Sequence, residues 1–121
     1  MARILVVDDN TMMRTVMRAA LERAGHEVTQ AQDGERALQA VAAAAFDLIV
    51  TDIQMPGMGG LDLVNRVRAS SPAAKILVIS GFLEGSELKD MTSAATQGVQ
   101  GSLEKPFTAD RLVTKVTEIL G

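Results

Sequence analysis

Five side chains in this sequence carry chemistry that is worth more together than apart. Asp8 and Asp9 directly follow the apolar run ILVV at 4–7, Asp52 closes the run LIVTD, Ser80 closes KILVIS, and Lys105 stands between the short run GSLE and Pro106. Carboxylates held within a few ångströms of one another raise each other's pKa unless a cation neutralises them. A hard divalent ion meets that need: Mg²⁺ prefers oxygen ligands, takes one or two carboxylates directly and keeps positions for water or phosphate oxygens. The ammonium of Lys105 and the hydroxyl of Ser80 can both donate to an anion. A carboxylate can also serve as a nucleophile that forms an aspartyl phosphate. The set asks for a phosphoryl group at Asp52, placed between the metal acids and the lysine.

That chemistry requires the five residues to meet, and the elements that carry them provide the means. β-branched or apolar runs recur at 3–7 (RILVV), 27–31 (EVTQA), 47–51 (DLIVT), 75–80 (KILVIS) and, more weakly, 101–104 (GSLE). Helical spacing fills the gaps between them. Met13, Val16, Met17, Ala20, Leu21 and Ala24 form one apolar face that Gly25 stops, and Asp9 or Asn10 can cap it. Asp33 caps a second helix with Ala37, Leu38 and Val41, while Leu61, Val64, Val67 and Arg68 make a third that ends before Ser70, Ser71 and Pro72. Ser86 opens a fourth, with Leu88, Met91 and Ala95, closed by Gly98; Thr108 caps a fifth, with Leu112, Val113, Val116, Ile119 and Leu120 inward. Met55, Pro56, Gly57, Gly59 and Gly60 read as a sharp turn into the third helix. Five βα units with near-continuous apolar strands predict a parallel sheet covered on both faces, a three-layer α/β sandwich forming one domain over residues 1–121. In such sheets ligands bind outside the carboxyl ends of the strands, where all five residues fall.

Composition narrows the function classes. A chain of 121 residues with 47% hydrophobic content can bury a real core, and a net charge of −3 offers no general attraction to nucleic acid or to an anionic membrane. No cysteine is present, which removes disulfide and thiolate chemistry and suits a reducing compartment. The three aromatic residues are all Phe, too few for a base-stacking platform. The apolar run near the N-terminus is too short for a signal peptide or a membrane span, so a cytoplasmic protein is expected. A dinucleotide or flavin enzyme is disfavoured because VVDDNT has neither G-x-G-x-x-G nor G-x-x-x-x-G-K-[ST], and its carboxylates repel phosphate. An aspartate-nucleophile phosphatase wants an acid two residues after the nucleophile, where Gln54 stands. His26 is the only histidine and is expected on the surface at the edge opposite the acids, so a phosphoryl donor must be another molecule.

The paired acids at 8–9, TDIQMPGMGGLDLV around Asp52, ISG at 79–81 and EKPF at 104–107 together resemble the receiver domain of two-component response regulators, over essentially the whole chain. The resemblance implies a flavodoxin-like (βα)5 sandwich with strand order 2-1-3-4-5. It implies that Asp52 accepts a phosphoryl group from a phosphohistidine of a sensor histidine kinase or histidine phosphotransfer protein. Mg²⁺ would be held by Asp8 or Asp9, Asp52 and the backbone carbonyl of Gln54, with Lys105 and Ser80 as catalytic partners. The expected role is a stand-alone, chemotaxis-regulator-like switch with slow autodephosphorylation and an unknown downstream protein target. No nucleic acid or membrane partner is expected. The sequence departs from the family at Ser102, three residues before the lysine, where Tyr or Phe is usual, and in a longer segment between Ser80 and Lys105. Phe82 is expected to restrict the attacking water and to serve as the moving ring of the switch. The alternative is a phosphorylation-independent interaction module; the intact set of five counts against it, and Ser102 keeps it open.

Overall fold

The computed structural model describes residues 1–53, 60–70, 73–80 and 99–121. Five parallel strands, β1 (Arg3–Val7), β2 (Glu27–Ala31), β3 (Leu48–Asp52), β4 (Lys75–Ser80) and β5 (Gly101–Glu104), lie in the order β2-β1-β3-β4-β5. Four described helices accompany them: α1 (Thr11–Arg23), α2 (Gly34–Ala43), α3 (Gly60–Ser70) and α4 (Ala109–Leu120). This is the flavodoxin-like order expected from the sequence. The helix expected from Ser86, its stop at Gly98, Phe82, Gln54, the turn at 55–59 and the Ser71–Pro72 break lie outside the described residues.

Two-residue alternation along the strands divides the core between the faces of the sheet. Ile4, Val6, Leu48, Val50, Leu77, Ile79 and Leu103 pack with Met17 and Leu21 of α1 and Leu112 and Val116 of α4. On the other face, Leu5, Val7, Ile49, Ile76 and Val78 meet Ala37 and Val41 of α2 and Leu63, Val64 and Val67 of α3. Strands buried on both sides explain why their sequences read as continuous apolar runs rather than as alternation.

Helix starts follow side-chain capping. Asn10 Oδ1 accepts from Met13 N–H at 3.0 Å, Asp33 Oδ1 from Arg36 N–H at 2.8 Å, and Thr108 Oγ1 from Arg111 N–H at 3.2 Å. Gly25 ends the α1 segment at φ 96°, a left-handed conformation that a side chain rarely adopts. Thr108→Ala should therefore lower unfolding free energy by about 1 kcal/mol, read as a lower urea midpoint at unchanged slope. An unchanged midpoint would show that the cap is idle.

Four expectations need correction. Val16, expected inward, is 49% exposed. It lies about 100° around the helix from the buried Met17, at the margin of a stripe that is narrower than its apolar residues indicate. Ala24 is also exposed, because it is the C-cap of α1 rather than part of its packed face. His26 is half-buried rather than a free surface group: its Nδ1 accepts Ala2 N–H at 3.2 Å, fastening the start of β1 beside β2. The expected start of the third strand at Asp47 also shifts by one residue. Asp47 instead turns its carboxylate to Arg3 N–H at 2.8 Å, and β3 runs through Asp52. None of the described helices is long and apolar enough to cross a membrane.

Candidate functional site

Strand register brings the acids together. Val7 pairs with Thr51, so Asp8 and Asp52, one residue further on, leave neighbouring strands side by side. Asp8 is fully buried, Asp52 is 5% exposed, and Asp9 faces solvent; one carboxylate oxygen from each lies within 4.8 Å of the others. On the far side, Ser80 pairs with Glu104, and Lys105 N–H donates to the Ser80 carbonyl at 2.8 Å. Ser80 is itself buried at the end of β4.

Lys105 starts from β5, two strands away from β3, a lateral gap of about 10 Å at the usual strand spacing. Its four-carbon stem crosses that gap above the end of β4. Nζ donates to Asp52 Oδ2 at 2.8 Å and to Asp8 Oδ2 at 3.3 Å. A shorter side chain at 105 could not reach both. The Lys105–Pro106 peptide is cis.

The electrostatics are strained in one direction. Burial pushes the Asp8 carboxyl pKa upward, and the nearby Asp52 charge adds to this; the Asn10 N–H at 2.9 Å and the Lys105 ammonium offset only part of it. For Lys105, burial alone would lower the pKa, but its hydrogen bond to Asp52 and the charges of Asp52 and Asp8 outweigh it and hold the ammonium above its ordinary value. Asp8 and Asp52 thus share the Lys105 ammonium, with Asp9 close beside them. All the donors on the acidic side are hard oxygens, and their spacing fits a divalent ion of the Mg²⁺ type rather than a softer metal that selects thiolate or imidazole.

The structure brings Asp8, Asp9, Asp52 and Lys105 together and sets Ser80 beside them through the β4–β5 register, while Gln54 lies outside the described residues. Sequence reasoning missed Arg14. Its Nη1 donates to the Asp8 carbonyl at 2.6 Å and its Nη2 to Thr11 Oγ1 at 3.2 Å. A signal existed, because the positive end of a helix disfavours a cation and α1 carries no acid in its first turn to compensate.

The family model described as the response regulator receiver domain matches residues 4–117. The chain belongs to that family. Among curated relatives, the receiver domain is 38% identical over 118 residues to chemotaxis protein CheY-3 of Vibrio cholerae, covering 97% of this chain and 90% of that protein. It is also 38% identical over 114 residues to the CAI-1 autoinducer sensor kinase/phosphatase CqsS of the same species, covering 94% of this chain but only 17% of that longer protein. Of solved structures, chemotaxis response regulator CheY4 of V. cholerae superposes with a TM-score of 0.87 at 34% identity, with 98% of each chain covered.

Proposed function

We propose that this receiver domain takes a phosphoryl group onto Asp52 from a phosphohistidine of a sensor histidine kinase or histidine phosphotransfer protein, in a Mg²⁺-dependent reaction, and thereby switches its affinity for a downstream protein. The observation that carries the reading is the shared position of Asp52: its carboxylate lies against Asp8 and Asp9 on one side and accepts from Lys105 at 2.8 Å on the other. In the transfer, an Asp52 oxygen forms a bond to phosphorus while the bond from phosphorus to the imidazole nitrogen breaks. The electron pair returns to the imidazole, which takes up a proton. Mg²⁺ held by Asp8, Asp9, Asp52 and the Gln54 carbonyl would supply charge neutralisation for the phosphoryl oxygens. Lys105 already sits at hydrogen-bond distance from the nucleophile and can follow the charge onto the new phosphoryl group; Ser80 offers a hydroxyl from the adjacent strand end. Slow hydrolysis, attack of water on phosphorus with Asp52 leaving, resets the switch. The relatives' chemotaxis and sensor-kinase names support a signalling role, and a cytoplasmic location belongs to the same proposal.

Tryptic mass spectrometry after exposure to acetyl phosphate and Mg²⁺ tests the reading. The expected result is one added phosphoryl group on the Asp52 peptide, labile to hydroxylamine; a stable label on another residue overturns it. Lys105→Ala should still label but lose much of the difference in partner binding between the two states, because the ammonium that reads the new charge is gone. Phe82→Ala should speed release of inorganic phosphate, since a small side chain there no longer restricts water; an equal or slower decay rejects that role.

One observation favours the second reading, a phosphorylation-independent interaction module. Ser102 is exposed on β5 and carries no ring, so it cannot bury appreciable apolar area by turning inward. If the switch operates, the reorganisation falls to 81–90, with Phe82 as its ring. Amide hydrogen exchange with and without a fluoroberyllate mimic decides between them: changed protection at 81–90 supports the switch, and none anywhere supports the module.

A further inference from the structure

We infer that Arg14 is a positioning residue for the metal acids: by holding the Asp8 carbonyl and Thr11 Oγ1 together, it fixes the direction in which Asp9 leaves the end of β1. The inference rests on the reading of Asp8, Asp9 and Asp52 as a Mg²⁺ site. Asp8 is held at every polar atom. Its N–H donates to Ala31 O at 3.2 Å, Oδ1 accepts from Asn10 N–H at 2.9 Å, Oδ2 accepts from Lys105 at 3.3 Å, and the carbonyl accepts from Arg14 Nη1 at 2.6 Å. The peptide that follows is planar, so fixing the Asp8 carbonyl fixes the plane that carries Asp9 N and Cα. Asp9 is exposed, and packing does little to aim it. The plane held by Arg14 therefore sets its direction.

The residue type fits the task. A guanidinium is a rigid fork that can bridge two acceptors, and here Nη2 reaches Thr11 Oγ1 at 3.2 Å while Nη1 holds the carbonyl. Lysine offers a single nitrogen on a flexible stem. The fork spans the turn between β1 and α1, from the last residue before the exposed acid to the first residue of the helix.

Charge and positioning predict opposite signs. As a cation near a dication, Arg14 repels Mg²⁺, and removing it should tighten binding. As the support of a metal ligand, it should loosen binding when removed, by about tenfold or more, as supporting residues around metal sites typically do. The test is calorimetric titration of Mg²⁺ into the full chain at fixed ionic strength, for wild type, Arg14→Ala, Arg14→Lys and Thr11→Ala. Weakening by about tenfold in Arg14→Ala, with Arg14→Lys intermediate, is the expected result. Acetyl phosphate labelling should then need more Mg²⁺ for half-saturation while keeping its rate at saturating Mg²⁺. Should Arg14→Ala fail to fold by circular dichroism, Arg14→Lys and Thr11→Ala, which keep most of the local packing, carry the test with the same sign. Wild-type binding together with unchanged or tighter binding in the variants overturns the role of Arg14 alone. A wild-type chain that takes up no Mg²⁺ overturns the metal-site reading and this inference with it.

Discussion

Replacing Asp52 by asparagine should reduce acyl phosphate formation from acetyl phosphate and Mg²⁺ to background. The substitution conserves volume at a nearly buried position, and the amide oxygen can still accept from Lys105, so the fold and the lysine's location should survive. What disappears is the nucleophile. An amide oxygen carries no full negative charge, attacks phosphorus poorly, and would give a phosphorylated imidate instead of an acyl phosphate. Asp8 and Asp9 each offer an oxygen within 4.8 Å of one on Asp52 but are expected to hold metal rather than to attack. Intact-mass spectrometry at matched donor concentrations provides the measurement. Equal labelling of wild type and Asp52→Asn would falsify the assignment of the nucleophile, and transfer of the label to Asp8 or Asp9 would reassign the roles of the three acids.

Replacing Asp8 by asparagine should act in two opposite directions. Asp8 is a fully buried carboxylate whose burial, together with the Asp52 charge, exceeds what Asn10 and Lys105 return to it. Removing that charge should stabilise the metal-free chain, because Lys105 keeps its shorter contact with Asp52 and Asn retains an oxygen for Asn10 N–H. The pH dependence follows from proton counting. A carboxyl raised by folding binds more protons in the folded than in the unfolded chain across the range between its ordinary and raised values. Stability contributed by Asp8 is thus lost as pH rises through that window and stays lost at neutral pH. The difference between the two chains should vanish in strong acid and open on the alkaline side of the carboxylate range. With Mg²⁺ the order reverses: at one hundred times its dissociation constant the ion should stabilise wild type by about 2.7 kcal/mol, and the variant should gain little. Thermal melts over pH, with and without Mg²⁺, contain all of these outcomes. A metal-free variant that melts lower than wild type at neutral pH would show that the Lys105–Asp8 pair outweighs the burial of Asp8.

The β-branched runs located the strands because a parallel strand covered on both faces has no polar side to blur its signal; β5, the weakest run, is also an edge strand and is only four residues long. Asn10, Asp33 and Thr108 marked helix starts because capping is local, decided by three or four residues. The five chemical residues were legible for a related reason: each follows or ends a strand, and a parallel sheet gathers those ends. The division of labour between Asp8 and Asp9 was not legible. Adjacent identical residues at a strand end point to different sides, and only the register against β3 buries one and exposes the other. Arg14 escaped for the opposite reason to the caps, since its acceptor is a main-chain carbonyl six residues earlier, across a turn whose shape no local pattern specifies. His26 and Val16 were misjudged because the imidazole of one accepts a main-chain N–H and the other sits at the margin of a packed stripe.

The contact between Lys105 and Asp8 joins residues 97 apart in the chain. Closing so long a loop is slow compared with forming neighbouring βα units, and ribosomes deliver the two halves of the pair in order, acids first. Until residue 105 has been made and docked, Asp8 and Asp52 have no Lys105 ammonium to share. On the proposed reading, the response to a charge on Asp52 that Lys105 supplies therefore arrives last, with the docking of the edge strand, and a partly folded molecule without β5 in place could take a label but not report it. Under the proposed switch, carrying the cation that meets Asp52 on the edge strand makes completion of the sheet a condition for reading the modified state.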